Sequence, residues 1–138
     1  MPTTEEITEI RRERLKQLFL QFQSEVKNVS DQNLLLRYTQ VDPVKEPYTR
    51  EFIKREVGFY RNYQKRTDEE LKESLDHLLD HVYDNAQKTD SRYDFDWLDL
   101  ELMIPLITDE IHWRRTSKKK RKPRQKPQDL IKRVMGNK

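Results

Sequence analysis

The segment TDEELKESLDHLLDHVYDNA, residues 67–86, carries the clearest helix signal in the chain. Thr67 and Glu70 have the spacing of a capping box, in which each side chain accepts a hydrogen bond from the other residue's backbone N–H. Apolar side chains then recur at helical intervals, at positions 71, 75, 78, 79, 82 and 86. We therefore predict a helix over residues 68–87.

Apolar side chains at helical spacing predict three more main helices, over residues 4–27, 49–66 and 95–114. The last of these contains Pro105, which should break or kink it, because proline lacks the backbone N–H that a helix interior needs. In the first helix, the basic side chains at positions 11, 12, 14 and 16 lie mostly off the apolar stripe, so we expect them to be solvated.

The composition agrees with a helical fold that has a small core. Apolar residues make up 33% of the chain and charged residues 38%, against typical values of about 45–50% and about 25%. Two glycines and six prolines argue against a turn-rich sheet. We predict an all-α fold: a bundle of about four main helices in residues 1–113, a disordered basic tail at 114–127 and a short amphipathic helix at 128–136.

Charge is distributed in three blocks along the chain. Residues 1–66 carry a net charge of +3, residues 67–112 carry −11 and residues 113–138 carry +11. The last two blocks are equal and opposite, and a flexible tail can fold back to within the screening length of about 8 Å. This balance leads to the hypothesis that the acidic segment contacts the basic tail when nucleic acid is absent.

The tail begins with RRTSKKKRKPRQK, residues 114–126, in which nine of thirteen side chains are Lys or Arg and none is acidic. Such a run cannot be buried, and it suits backbone phosphates, whose neutralisation releases condensed counterions. The predicted helix at 49–66 also interleaves cations with aromatic rings, a pattern typical of nucleic-acid surfaces and also of a packed core. The candidate nucleic-acid-binding residues are Arg50, Lys54, Arg55, Arg61, Lys65 and Arg66 in the helix, and Arg114, Arg115, Lys118, Lys119, Lys120, Arg121, Lys122, Arg124 and Lys126 in the tail.

These patterns favour a non-catalytic nucleic-acid-binding protein that contacts the phosphate backbone of RNA or DNA with little base specificity, as a small subunit of a larger nucleoprotein complex. The alternative is a protein–protein interaction adaptor that uses its acidic helices at 67–112. The tail then serves as a nuclear localisation or solubilising segment. In either case, a protein partner is expected at the acidic and aromatic stretch 93–107 or at the helix 128–136.

No catalytic constellation is apparent, so we expect neither an enzyme nor a cofactor. His77 and His81 are spaced i, i+4 and are weak candidates for a metal site, but Leu78 stands where a zinc protease has its catalytic Glu. Cysteine is absent, and no apolar run is long enough for a membrane span. We expect a soluble intracellular protein, cytoplasmic or, in a eukaryote, nuclear.

Overall fold

The computed structural model describes residues 1–116, 120, 122–125, 129–131 and 133. Over this part of the chain the fold is helical and contains no strand, which confirms the all-α prediction. Between residues 1 and 116 the structure has six α-helices: α1 (Thr4–Val26), α2 (Asp31–Gln40), α3 (Thr49–Arg55), α4 (Asp68–His77), α5 (Tyr83–Ala86) and α6 (Asp94–Arg115).

The capping box that begins α4 is formed as predicted. The Glu70 N–H donates to Thr67 Oγ1 at 3.1 Å, and the Thr67 N–H donates to Glu70 Oε1 at 3.0 Å. Each of these bonds satisfies a backbone N–H that a helix start otherwise leaves without a partner. The bond from the Thr67 N–H to the Glu70 carboxylate also lowers the pKa of Glu70, because it favours the charged form.

Two predicted helices change their winding along their length. α3 continues into a π-helical turn at Glu56–Tyr60 and is followed by a 3₁₀ turn at Tyr63–Lys65. α4 continues through a second π-helical turn, Leu78–Val82, directly into α5. The predicted helices at 49–66 and 68–87 are therefore not regular α-helices from end to end.

α6 runs continuously through Pro105, so the predicted break does not occur. A proline in a helix interior costs about 3 kcal/mol or more. Leu102 and Leu106, on either side of Pro105, are almost completely buried, and full burial of each leucine contributes about 1.5–3 kcal/mol. Core packing on both sides of the proline thus offsets its local cost.

The core is centred on aromatic rings from α1, α3 and the first π-helical turn. The Phe19 ring, which is 0% exposed, lies 5.1 Å from the Phe52 ring and 5.0 Å from the Tyr60 ring, centroid to centroid. α6 adds a row of aliphatic side chains with 0–1% exposure. These are Leu98, Leu102, Leu106 and Ile107.

The basic face of α1 is solvated only in part. Arg14 is exposed, as expected, but Arg12 and Lys16 are buried, with 8% and 7% exposure, whereas Ile7 and Ile10 are exposed. For Arg12 and Lys16 the expectation was wrong because α1 packs against α6 through this face, where Asp94 and Glu101 supply carboxylates. A helical wheel of α1 alone contains no information about these partners.

Candidate functional site

Arg55, one of the predicted phosphate-binding arginines, is held inside the protein by α6. Its Nε and Nη2 donate to Asp99 at 2.7 and 3.1 Å, and its Nη1 also pairs with Glu51. Burial lowers the pKa of Arg55, but the hydrogen bonds to these two carboxylates more than compensate, and the net pKa is raised. Its guanidinium also lies 4.7 Å from the centre of the Phe95 ring.

Arg61 joins the end of α1 to the start of α2. It donates to the carbonyl oxygens of Val26 at 2.6 Å and Val29 at 2.5 Å, and it pairs with Asp31 at 2.8 Å. A fourth contact reaches Glu56 at 3.4 Å. The planar fork of donors is thus used to satisfy helix-end carbonyls.

Arg66 and Arg114 have similar internal roles. Arg66 donates to Asn62 Oδ1 and Ser74 Oγ, both at 3.0 Å. Arg114, in the last turn of α6, pairs with Asp68 at 2.6 Å and Glu110 at 3.1 Å. These arginines stabilise the tertiary structure, and their donors are directed at protein groups.

The described lysines of the predicted set remain exposed. Lys54, Lys65, Lys120 and Lys122 are all exposed, as is Arg115. Arg50 is exposed and lies over the Tyr38 ring, 4.6 Å from its centroid. Four predicted residues lie outside the described part of the chain: Lys118, Lys119, Arg121 and Lys126.

The fold brings the two basic segments together at one end of the bundle. Gln64 Nε2 donates to the Gln125 carbonyl at 2.8 Å, and Arg114 Nη2 donates to the Gln64 carbonyl at 3.1 Å. Exposed cations lie close to these three residues in the chain: Lys65 follows Gln64, Arg115 follows Arg114, and Lys120 and Lys122 precede Gln125. We call the set Lys65, Arg115, Lys120 and Lys122 the basic corner. Arg50 and Lys54 lie outside it, on the earlier helix α3.

The described part of the C-terminal segment docks on the bundle. Leu130 and Ile131 are 8% and 1% exposed and belong to the hydrophobic core. Arg124 pairs with Glu110 at 2.8 Å, and Arg133 donates to Asp109 at 2.6 Å. Contact between the acidic segment and the basic tail, which the charge blocks suggested, therefore occurs at the C-terminal end of α6.

The predicted terminal helix is described only in part. Residues 129–131 and 133 have helical backbone, and the other members of 128–136 lie outside the described residues. The second predicted partner segment, 93–107, supplies Leu98, Leu102, Leu106 and Ile107 to the core. Leu130 and Ile131 from the terminal segment and these four side chains from 93–107 thus lie in the core.

His77 and His81 are exposed neighbours whose ring centroids are 5.1 Å apart. Among the residues that the structure describes, no group of three or more His, Cys, Asp or Glu side chains is arranged to hold a metal ion. Within the described residues, the pair therefore has no further ligands of the kind that a zinc site needs.

Sequence reasoning missed the buried cluster around Asp94. Arg11 Nε lies 2.5 Å from Asp94 Oδ2, and Arg12 Nε lies 3.1 Å from Asp94 Oδ1. Arg12 also donates to the carbonyls of Ala86 at 3.1 Å and Lys88 at 2.5 Å. The hydrogen bond to Asp94 raises the pKa of Arg11. No short spacing in the sequence connects these residues, so no motif signals the cluster.

No protein-family model matches the chain, and comparisons with curated proteins and with solved structures also give no match. In the described part of the chain, no helix is both long enough and apolar enough to cross a membrane. The function must therefore be argued from the site itself.

Proposed function

We propose that this is a non-catalytic nucleic-acid-binding protein that contacts the phosphate backbone through the basic corner. The observation that supports the proposal is that Gln64, which precedes Lys65, contacts both Arg114 and Gln125, in the segment that also carries Arg115, Lys120 and Lys122. Each cation that neutralises a phosphate releases counterions. Four such contacts predict a slope of about −3 to −4 for log K against log salt on double-stranded DNA.

Four of the predicted arginines donate to protein groups, whereas the described lysines of the predicted set are exposed, and this difference supports low base specificity. Specific reading of guanine in the major groove usually relies on a bidentate arginine. Arg55, Arg61, Arg66 and Arg114 use their donors on protein groups. The exposed lysines carry compact charges that suit phosphates but do not distinguish bases.

The acidic surface of α4 suggests that the protein has a second partner besides nucleic acid. Asp68, Glu69, Glu70 and Glu73 on this helix are exposed and would repel a polyanion. We therefore propose that α4 faces another protein and that the chain is a small subunit of a larger nucleoprotein complex, either cytoplasmic or nuclear. This arrangement separates the two kinds of partner by charge.

The test is binding of fluorescently labelled single- and double-stranded RNA and DNA at several salt concentrations. The triple variant Lys65→Gln, Lys120→Gln, Lys122→Gln should weaken binding uniformly across sequences and reduce the salt slope by about 3. A matched control, Lys27→Gln, Lys45→Gln, Lys72→Gln, changes the net charge equally at exposed positions outside the corner. Equal loss in both variants, or no binding by the wild type at low salt, would overturn the proposal.

A second candidate function is a protein interaction adaptor, favoured by the continuation of α4. Leu79 and Tyr83 are each 49% exposed, one helical turn apart, and they are flanked by exposed Asp76, Asp80 and Asp84. Apolar anchors in an acidic surround suit an amphipathic basic helix.

A synthetic amphipathic helical peptide, with Leu along one face and Lys along the opposite face, is a direct probe of this adaptor function. The variant Leu79→Gln, Tyr83→Gln should weaken peptide binding by about tenfold, since it removes two interface anchors. The control Leu35→Gln, Leu36→Gln alters two exposed leucines on α2 and should leave binding unchanged. Equal affinities for both variants would contradict the adaptor function.

A further inference from the structure

Glu110 is a buried carboxylate between two arginines from different parts of the chain. Its side chain is 2% exposed. Oε2 lies 3.1 Å from Arg114 Nε on the same helix, and Oε1 lies 2.8 Å from Arg124 Nε in the C-terminal segment. A buried carboxylate needs such partners, because removing the charge from water without them is costly.

Trp113 fixes the same segment from the neighbouring face of α6. The Arg124 guanidinium lies 4.1 Å from the centre of the Trp113 ring, and Trp113 Nε1 donates to the Lys122 carbonyl at 2.7 Å. Side chains of Trp113, Lys120 and Lys122 line one cleft. The path of residues 122–125 across the end of α6 is therefore set by contacts with Glu110 and Trp113.

We infer that Glu110 is a positioning residue for phosphate binding: it holds Arg124 and so places Lys120 and Lys122 at the basic corner. This inference rests on the proposed nucleic-acid function. Without the ion pair, the cations remain in the chain, but one of the contacts that fix their location relative to Lys65 is lost. Ordering them again on binding then costs conformational entropy.

A purely electrostatic account makes the opposite prediction. Glu110 is a negative charge close to the proposed site, so its neutralisation should strengthen attraction for phosphate. The positioning role predicts weaker binding even though the net charge rises by one. The sign of the change therefore separates the two accounts.

The experiment compares Glu110→Gln with Glu73→Gln in the full chain, on the same double-stranded DNA at several salt concentrations. Both substitutions remove one negative charge, but Glu73 is exposed on α4. We expect Glu110→Gln to weaken binding by about threefold to tenfold and to reduce the salt slope. Glu73→Gln should leave binding unchanged or strengthen it slightly. Binding by Glu110→Gln that equals or exceeds that of the wild type would overturn the inference and leave the proposed function intact.

A second variant keeps the test independent of charge and of any folding defect in Glu110→Gln. Trp113→Leu leaves the charge unchanged but removes the ring beneath Arg124 and the donor to Lys122. It should weaken binding to the same duplex, where paired bases offer no free face for stacking. Tyr48→Leu, at an exposed aromatic that precedes α3, should have no effect. An unchanged affinity for Trp113→Leu would contradict the positioning role.

Backbone NMR relaxation of the free protein provides the readout that distinguishes failure of the positioning role from failure of the proposed function. Glu110→Gln should lower the order parameters of residues 122, 124 and 125. If the wild type does not bind nucleic acid, the proposed function and the positioning role both fail. Unaltered order parameters in Glu110→Gln, with normal nucleic-acid binding by the wild type, overturn the positioning role alone.

Discussion

Arg12 Nε lies 3.1 Å from Asp94 Oδ1, and both side chains are only 9% exposed although they are 82 residues apart in the chain. Arg11 occupies the other carboxylate oxygen. Asp94 is in the first turn of α6, where the helix dipole also favours a negative charge. This cluster attaches α1 to the start of α6 and to the carbonyls of Ala86 and Lys88.

Asp94→Ala should lower the free energy of unfolding by about 3–5 kcal/mol, because it leaves the Arg12 guanidinium buried without its carboxylate. Urea denaturation followed by circular dichroism measures the change. Arg14→Ala, at an exposed position of α1, is the control and should change the free energy of unfolding by no more than about 0.5 kcal/mol. Similar small effects for both substitutions would show that the cluster contributes little.

Phe19→Ala should cost about 3–5 kcal/mol, because Phe19 is completely buried and contacts the Phe52 and Tyr60 rings. Ile10→Ala, at an exposed position of α1, should cost less than about 0.5 kcal/mol. The same denaturation experiment compares them. A large effect at Ile10 would mean that the exposed face of α1 is covered in solution.

Thr67→Ala removes the acceptor for the Glu70 N–H and should destabilise the protein by about 1 kcal/mol. Thr49→Ala is the matched control, because Thr49 also lies at a helix start but the N-cap of α3, Tyr48, makes no side-chain cap bond. Thermal unfolding should therefore show a lower Tm for Thr67→Ala than for Thr49→Ala. Equal Tm values would indicate that the capping box adds no stability.

Glu56→Gln should become more stable relative to the wild type as the pH rises. Burial raises the pKa of Glu56 above its ordinary value of 4.5, despite the hydrogen bond from Gln23 and the charge of Arg61. The folded state therefore holds this proton more tightly than the unfolded state. The resulting stability is fully present below the unfolded pKa and is lost as the pH rises through the folded pKa.

Urea denaturation of Glu56→Gln and wild type, repeated from about pH 4 to about pH 7, measures this difference. For each unit by which the folded and unfolded pKa values of Glu56 differ, the difference in free energy of unfolding between the variant and the wild type changes by about 1.4 kcal/mol over the titration. Glu69→Gln, at an exposed position, is the control and should show a smaller pH dependence. If the difference in free energy of unfolding between Glu56→Gln and the wild type is the same at every pH, the raised pKa of Glu56 is contradicted.

Much of the helical framework follows from local patterns. The Thr67 capping box and the apolar spacing after it are sufficient to place the start of α4, because both depend on residues within one or two turns. The π-helical turns at Glu56–Tyr60 and Leu78–Val82 have no such local signature. The continuity of α6 through Pro105 depends on core contacts that a single-helix pattern does not contain.

The candidate site was also predictable from the sequence only in part. Residue type and density were enough to name Lys65, Lys120 and Lys122 as candidate phosphate contacts, and all three are exposed. Lys16 is buried beside Glu101, so the exposure of a lysine depends on which element packs against it. The internal use of Arg55 and Arg61 was not predictable, because their carboxylate and carbonyl partners come from other helices.

The four main helical segments and their starts were determined by the amino-acid sequence, through interactions that reach only a few residues along the chain. The excess of positive charge in the tail follows from residue type alone. Tertiary packing decided which charges are buried, as at Arg12 and Asp94, and which distant segments meet at the basic corner. The physical reason is that burial and ion pairing depend on neighbours in space. For Arg124 and Glu110, those neighbours are brought together only when the C-terminal segment docks on α6.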